Sequence, residues 1–163
     1  MAAGTSYKTA PTEQGVAALQ GLVQSFVRSF GLLIAKETPC GHPVSPSYAH
    51  ALMVLLEREG DELHTSQSDL GARLGIDKSN VARLCARLHS QGHAIQEPSP
   101  DDGRSRHLRL TAKGRRMAEN IQNSSLERFR RVAAAVAPEK RQVLLDSLAA
   151  LNAAVMTLED ESR

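Results

Sequence analysis

The stretch "PSPDDGRSRHLRLTAKG", residues 98–114, combines turn-forming and charged residues in a way that suits contact with a negatively charged partner. Two prolines, two aspartates and a glycine are typical of a tight turn. The flanking segments "HAIQEP" and "RHLRLT" alternate between apolar and polar residues, as the two strands of a hairpin do. The pattern predicts a hairpin whose tip carries arginines.

Such a hairpin is narrow enough to place an arginine in a DNA minor groove, where the electrostatic potential is strongly negative. We predict that Arg104 makes this insertion and that Arg106 assists it or contacts phosphate. Asp101 and Asp102 would be repelled by phosphate. Their expected role is to shape the turn, by accepting hydrogen bonds from its backbone or by pairing with an arginine.

Two short helices joined by a tight turn are predicted in "TSQSDLGARLGIDKSNVARLCARLHSQG", residues 65–92. Ser66 and Asp69 fit a capping box, and Gly75 supplies the break. Asp77 can cap the second helix. The apolar positions of that helix form one stripe, consisting of Val81, Leu84, Cys85 and Leu88. This is the pattern of a helix-turn-helix.

The face opposite that stripe is small, polar and basic, since each residue turns the helix by about 100°. In a DNA major groove an arginine can fork onto a guanine edge and an asparagine can bond an adenine. Hydroxyls and backbone N–H groups at the start of the preceding helix can hold phosphates. The predicted DNA-binding residues here are Ser66, Gln67, Ser68, Lys78, Ser79, Asn80, Arg83 and Arg87.

Positive charge is concentrated around these motifs. The 163 residues carry 20 Lys and Arg against 18 Asp and Glu. Between Thr65 and Arg116 there are ten basic and five acidic residues, a net charge of +5, whereas the rest of the chain has ten and thirteen, or −3. This asymmetry suits a polyanion-binding module on a separate scaffold, although a solvated face with an excess of arginine would give the same count.

The scaffold is predicted to consist of four further helices. Two precede the motifs, from Gly15 to about Lys36 and from Ser47 to Glu59. Thr111 can cap a third, and Pro138 opens the last. That last helix repeats apolar residues at spacings of four and three, a heptad-like seam that needs another helix to cover it. The expected dimerisation residues are Leu19, Leu144, Leu148, Leu151, Val155 and Leu158.

These elements predict a mainly α fold with a small β-hairpin, in which a winged helix-turn-helix is held by N- and C-terminal dimerisation helices. We expect an N-terminal tail and dimerisation helix over 1–46, the winged helix-turn-helix over 47–110 and C-terminal dimerisation helices over 111–163. Without a secretory pattern or a long apolar segment, the chain is expected to be cytoplasmic and not to bind a membrane. No phosphate loop, metalloprotease helix, nucleophile elbow or dinucleotide fingerprint occurs, so we expect neither an enzyme nor a cofactor.

The segment "DDGRSRHLRLTAKG" resembles the wing signature of the multiple antibiotic resistance regulator (MarR) family of bacterial transcription factors. The signature is Asp, any residue, Arg, an alternating strand ending in Leu-Thr, and a helix with an early Gly. The matching positions are Asp102, Arg104, Leu110, Thr111 and Gly114. "LGARLGIDKSNVARLCARLHSQG" is similar as well, and the element order matches over nearly the whole chain. The departure is at His93 and Ala94, where relatives often carry a bulkier apolar or aromatic pair.

The resemblance implies a homodimer that binds a pseudo-palindromic operator in double-stranded DNA, usually as a repressor. It also implies release by a small phenolic or anionic molecule, an oxidant or a metal acting near the junction of the dimer and DNA-binding parts. We expect a ligand-responsive repressor with a small organic inducer. By position, the candidate ligand-binding residues are Arg28, Phe30, Cys40, His42, Tyr48 and Met53.

Three alternatives stay open. Cys40, beside His42, could sense an oxidant as cysteines of some relatives do, whereas Cys85 lies on the apolar stripe and is expected in the core. The protein could instead sense a metal through cysteine and histidine ligands. Their spacing matches no recognised metal-binding motif, so we expect no metal. The possible ligands are Cys40, His42, His50, His64 and His107. A winged helix that binds only proteins would not need its basic face. His89, His93 and His107 are expected to be solvated.

Overall fold

The chain folds into a winged helix-turn-helix with additional helices at both ends, which confirms the predicted fold class. The computed structural model describes residues 10–34, 36–61, 63, 65–98 and 106–161. The elements are α1 (Glu13–Phe30), α2 (Pro46–Gly60), β1 (Thr65–Ser66), α3 (Gln67–Leu74), α4 (Lys78–Ser90), β2 (Ala94–Pro98), β3 (Arg106–Leu110), α5 (Ala112–Ala135) and α6 (Pro138–Glu161). Two compact units divide between Ile121 and Gln122.

Most helix boundaries follow from the side chains that cap them. The predicted capping box at Ser66 and Asp69 is present, Asp77 caps α4, and the hydroxyl of Thr111 accepts from the Gly114 N–H at 3.0 Å. The first helix ends at Phe30, so the prediction that it continues to about Lys36 is wrong. Gly31 adopts a left-handed backbone with φ 82°, and its N–H bonds the carbonyl of Arg28, which closes the helix.

The sheet has three antiparallel strands in the order β1-β3-β2, one more than the predicted hairpin. Strands β2 and β3 pair from Ala94↔Leu110 to Pro98↔Arg106. The additional strand, β1, pairs Thr65 with Leu108 and Ser66 with His107. A strand of two residues has no room for an alternating pattern, so the sequence carried no signal for it.

The core of the first unit lies between α2, α3, α4, the sheet and the start of α5. Its largest fully buried side chains include Tyr48, Leu52, Leu55, Leu70 and Leu88. The predicted core position of Cys85 is confirmed, since the residue is 4% exposed. Burial raises the pKa of its thiol to about 11. Because the whole apolar stripe of α4 is buried, it determines how that helix is rotated about its axis and turns its polar face outward.

The helices at the two ends of the chain present apolar side chains that are not covered. On α1, Leu22 is 71% exposed and Phe26 is 51% exposed. In the second unit, Leu148 and Leu158 of α6 are 48% and 63% exposed. Across the described residues, no helix combines the length and the apolar character needed to cross a membrane.

Candidate nucleic-acid interface

The outward face of α4 carries the polar and basic residues that the sequence assigned to DNA. All five are exposed, while the opposite side of the helix packs into the core. They are Lys78, Ser79, Asn80, Arg83 and Arg87. Ala82 and Ala86, which lie beside these residues, are small and exposed. No bulky side chain at these two positions therefore blocks access to the cationic surface.

The first turn of α4 is ordered by hydrogen bonds between side chains. One carboxylate oxygen of Asp77, Oδ1, accepts from the Asn80 N–H at 2.9 Å, and its other oxygen accepts from the Asn80 side-chain amide. Arg83 Nη2 then donates to Asn80 Oδ1 at 2.8 Å. The backbone hydrogen bond from Asn80 is the main reason that the pKa of Asp77 is lowered, so the cap keeps its charge to a lower pH than a free aspartate does.

At the start of α3, the hydroxyl of Ser66 is used in the capping box. It accepts from the Asp69 N–H at 3.1 Å and donates to Asp69 Oδ2 at 2.7 Å. The bond from the Ser66 hydroxyl to Oδ2 is the main reason that the pKa of Asp69 is lowered, and a bond from the Ser66 backbone N–H to the same oxygen lowers it further. Gln67 is half-buried and Ser68 is exposed. Contact of these three residues with phosphate stays a prediction.

A groove of about 520 Å³ lies between the start of α3, one flank of α4 and β2. Its lining residues are Gln67, Ala82, Cys85, Ala86, His89, Ile95 and Gln96. None of the six candidate ligand-binding residues lines it. Tyr48 lies in the core and Met53 packs against it, whereas Cys40 and His42 lie in the loop before α2. Arg28 and Phe30 are in the last turn of α1.

The loop before α2 holds Cys40 beside a threonine. The Cys40 Sγ atom lies 3.2 Å from Oγ1 of Thr38, which is 5% exposed and accepts from the His42 N–H at 2.9 Å. The described His, Cys, Asp and Glu side chains form no group of three or more suited to a metal ion.

A buried tyrosine–histidine pair lies behind α4. The Tyr48 hydroxyl is 2.6 Å from His93 Nδ1, and the two residues are 1% and 8% exposed. The guanidinium carbon of Arg87 lies 5.1 Å from the centre of the Tyr48 ring, a cation–π geometry.

The expectation that His93 and His107 are solvated is wrong, since both are buried; His89 is exposed. The wide spacing of Tyr48 and His93 in sequence gave no signal for this contact.

The buried pair predicts that folding stability falls in acid. Burial lowers the pKa of His93 below its ordinary 6.5, and the Lys113 ammonium lowers it further. In the unfolded chain the imidazole takes up a proton below pH 6.5, whereas in the folded chain it resists protonation. Stability is therefore fully present above pH 6.5 and decreases as the pH falls below it. Thermal unfolding from pH 7.5 to 5.5 checks this, and a His93→Gln variant with the same pH slope as the parent would contradict it.

The wing strands are connected to the helices by a half-buried carboxylate, that of Glu59 near the end of α2. Glu59 Oε1 accepts from the Leu110 N–H at 2.6 Å, and Oε2 accepts from Arg115 Nη2 at 2.5 Å. On the hairpin itself, Glu97 pairs with Arg109 at 3.1 Å. Sequence reasoning missed Glu59, because its partners are more than 50 residues away and it stands in an ordinary helical pattern.

The hairpin tip, to which the sequence assigned the minor groove, falls outside the described residues. Asp101, Asp102 and Arg104 all lie there. Arg106 begins β3, and the pairing of Pro98 with Arg106 places the two ends of the tip side by side. The minor-groove role of the tip stays a prediction.

Comparison with known proteins agrees with this architecture. A sequence profile of the MarR family matches residues 42–105. The chain is 31% identical over 107 residues to YdgJ of Bacillus subtilis (strain 168), described as an uncharacterized HTH-type transcriptional regulator. The match covers 66% of this chain, and the chain spans 64% of the length of that relative.

Two solved structures share the fold. FabT of Streptococcus pneumoniae, in complex with DNA, superposes with a TM-score of 0.69 at 18% identity, covering 90% of this chain and 99% of that one. PcaV of Streptomyces coelicolor, in complex with its natural ligand, gives a TM-score of 0.59 at 24% identity, with 90% and 99% covered. The two structures agree in fold, and the profile match, the YdgJ similarity and the wing signature support a winged-helix regulator of the MarR family.

Proposed function

We propose that the protein is a transcriptional regulator that binds a pseudo-palindromic operator in double-stranded DNA as a homodimer and represses transcription. The observation that carries this proposal is the exposed, cationic face of α4, with Arg83 held in place and the apolar stripe buried behind it. A helix of this shape and charge fits a major groove. The absence of bulky side chains at positions 82 and 86 supports close approach.

In the proposed complex, the two α4 helices of the dimer enter successive major grooves about 34 Å apart. The hairpin tips then reach the flanking minor grooves, where Arg104 inserts and Arg106 assists. Ser66, Gln67 and Ser68 lie at the phosphate backbone. FabT, whose structure was solved with DNA, supports DNA as the partner of this fold.

Dimerisation is proposed to use the uncovered apolar residues of α1 and α6, which belong to the predicted segments 1–46 and 111–163. Leu19 is 48% exposed, and Leu144, Leu148, Val155 and Leu158 are at least 41% exposed. So much uncovered apolar surface is unusual in a monomer. The expected mass in solution is twice the 17.6 kDa of one chain. Light scattering behind a sizing column measures it.

Regulation by a small organic molecule is part of the proposal. PcaV, which was solved with its natural ligand, supports a ligand-responsive role. The candidate contacts remain Arg28, Phe30, Cys40, His42, Tyr48 and Met53. A ligand that binds the DNA-incompetent form about tenfold better shifts the equilibrium by about 1.4 kcal/mol.

Fluorescence anisotropy tests the proposal against a winged helix that binds only proteins. The probe is a duplex from immediately upstream of the protein's own gene, beside a shuffled duplex of the same composition. With roughly six to ten phosphate contacts, affinity should fall by about 10³- to 10⁵-fold between about 50 and 200 mM salt. Weak binding that is equal on both duplexes and independent of salt would contradict DNA binding.

A further inference from the structure

The side chains of Asp77, Asn80 and Arg83 form one connected chain, in which the middle amide has only one possible orientation. A carboxylate only accepts hydrogen bonds and a guanidinium only donates them. The Asn80 NH₂ must therefore face Asp77, and its carbonyl oxygen must face Arg83, as the structure shows. Flipping the amide would place its NH₂ against the N–H groups of Arg83 and its oxygen against the carboxylate of Asp77.

This arrangement uses both polar ends of Asn80. An asparagine that reads adenine needs its carbonyl oxygen and its NH₂ at the same time. In the structure, the NH₂ bonds Asp77 and the oxygen accepts from Arg83. Asn80 could therefore read adenine only with the second hydrogen of its NH₂ and the second lone pair of its oxygen, since one of each is already used within the helix.

Arg83 keeps most of its bonding capacity. A guanidinium has five N–H groups, and the bond to Asn80 uses one of them. A fork onto guanine uses two. Because the Arg83 side chain is exposed, it would otherwise sample many rotamers that DNA binding must order.

We propose that Asn80 is a positioning residue, which holds Arg83 ready for one guanine edge and is itself held by the second oxygen of Asp77. The inference rests on the proposed DNA-binding function. It adds that Asn80 affects base preference by orienting Arg83. Asp77 then has two separate tasks, capping α4 with Oδ1 and orienting Asn80 with Oδ2.

A double-mutant cycle tests this proposal. The parent first selects its tightest duplex from a randomised library of about 24 base pairs, which accommodates two half-sites one turn apart. Selectivity is the affinity for that duplex divided by the affinity for a shuffled one. Arg83→Ala should lower selectivity by about 5- to 150-fold. Asn80→Ala should lower it by about 2- to 13-fold, the effect of ordering one arginine.

The decisive measurement is Asn80→Ala in the Arg83→Ala background, where we expect no further change in selectivity. An equal loss in both backgrounds would mean that Asn80 contacts the base itself, and the proposal would be wrong. A parent that selects no duplex, or an Arg83→Ala variant with full selectivity, would instead overturn the proposed function or the proposed docking of α4.

Asp77→Ser separates positioning from capping. Serine is as good an N-cap as aspartate, but it lacks the second oxygen. We expect the thermal midpoint to stay near that of the parent while selectivity falls to the level of Asn80→Ala. Unchanged selectivity would overturn the role of Asp77, and equal weakening on both duplexes with a lowered midpoint would show a merely structural role.

Discussion

Gly114→Ala is expected to destabilise the protein by about 3 to 5 kcal/mol, a large part of the stability of an ordinary domain. A Cβ atom at position 114 would lie 1.8 Å from the backbone oxygen of His93 and 2.7 Å from its carbonyl carbon. Backbone atoms cannot rotate away as a side chain does. The first turn of α5 would have to move away from the backbone of His93, just before β2, by roughly an ångström or more.

Denaturant unfolding of the variant measures this loss, at one protein concentration because the stability of the proposed dimer would depend on concentration. Gly60→Ala is the matched control. Gly60 also lies in a helix, but a Cβ there meets no atom within 4 Å. Alanine should stabilise that position by about 0.4 to 1 kcal/mol, because it restricts the unfolded chain. Equal unfolding midpoints for the two variants would refute the close approach of α5 to His93.

Glu59→Ala is expected to lower the free energy of unfolding by about 2 to 3 kcal/mol, because it removes two hydrogen bonds to a charged group. The side chain is 15% exposed, so water replaces these bonds poorly, although the exposed Arg115 partner is partly screened. The Leu110 N–H would lose its acceptor. DNA affinity should fall as well, since β3 carries the base of the wing.

Glu57→Ala, on the same helix, provides the comparison for this prediction. Its carboxylate lies 4.0 Å from Arg73 and is 62% exposed, so its loss should change stability by no more than about 0.5 kcal/mol. Glu59→Gln should fall between the two, because an amide oxygen can still accept from Leu110 without carrying a charge. If Glu59→Ala and Glu57→Ala unfold alike, Glu59 does not fasten the wing.

The elements that sequence predicted well are those whose information is local. The capping box at Ser66, the cap at Asp77 and the apolar stripe of α4 each lie within a few residues of the structure that they specify. The outward orientation of Arg83 and Arg87 follows directly from that stripe. The wing signature also singled out Gly114, and the structure adds the reason, which is the carbonyl of His93.

The misjudged features depend on distant partners. Whether His93 is solvated is decided by Tyr48, which is 45 residues earlier, and by the packing of α5. Glu59 finds its partners 51 and 56 residues later. The link from Asn80 to Arg83 is an exception. The two residues are three positions apart on one helix, so the sequence itself carries the signal for their contact.

Strand β1 ends at Ser66, and the same residue caps α3. The sheet that carries the wing and the first helix of the helix-turn-helix therefore share a residue, with no connecting peptide between them. The chain has no flexible linker at this point. An inserted residue would disrupt either the pairing of β1 with β3 or the cap of α3. The orientation of β1 relative to α3 is therefore fixed at Ser66 itself.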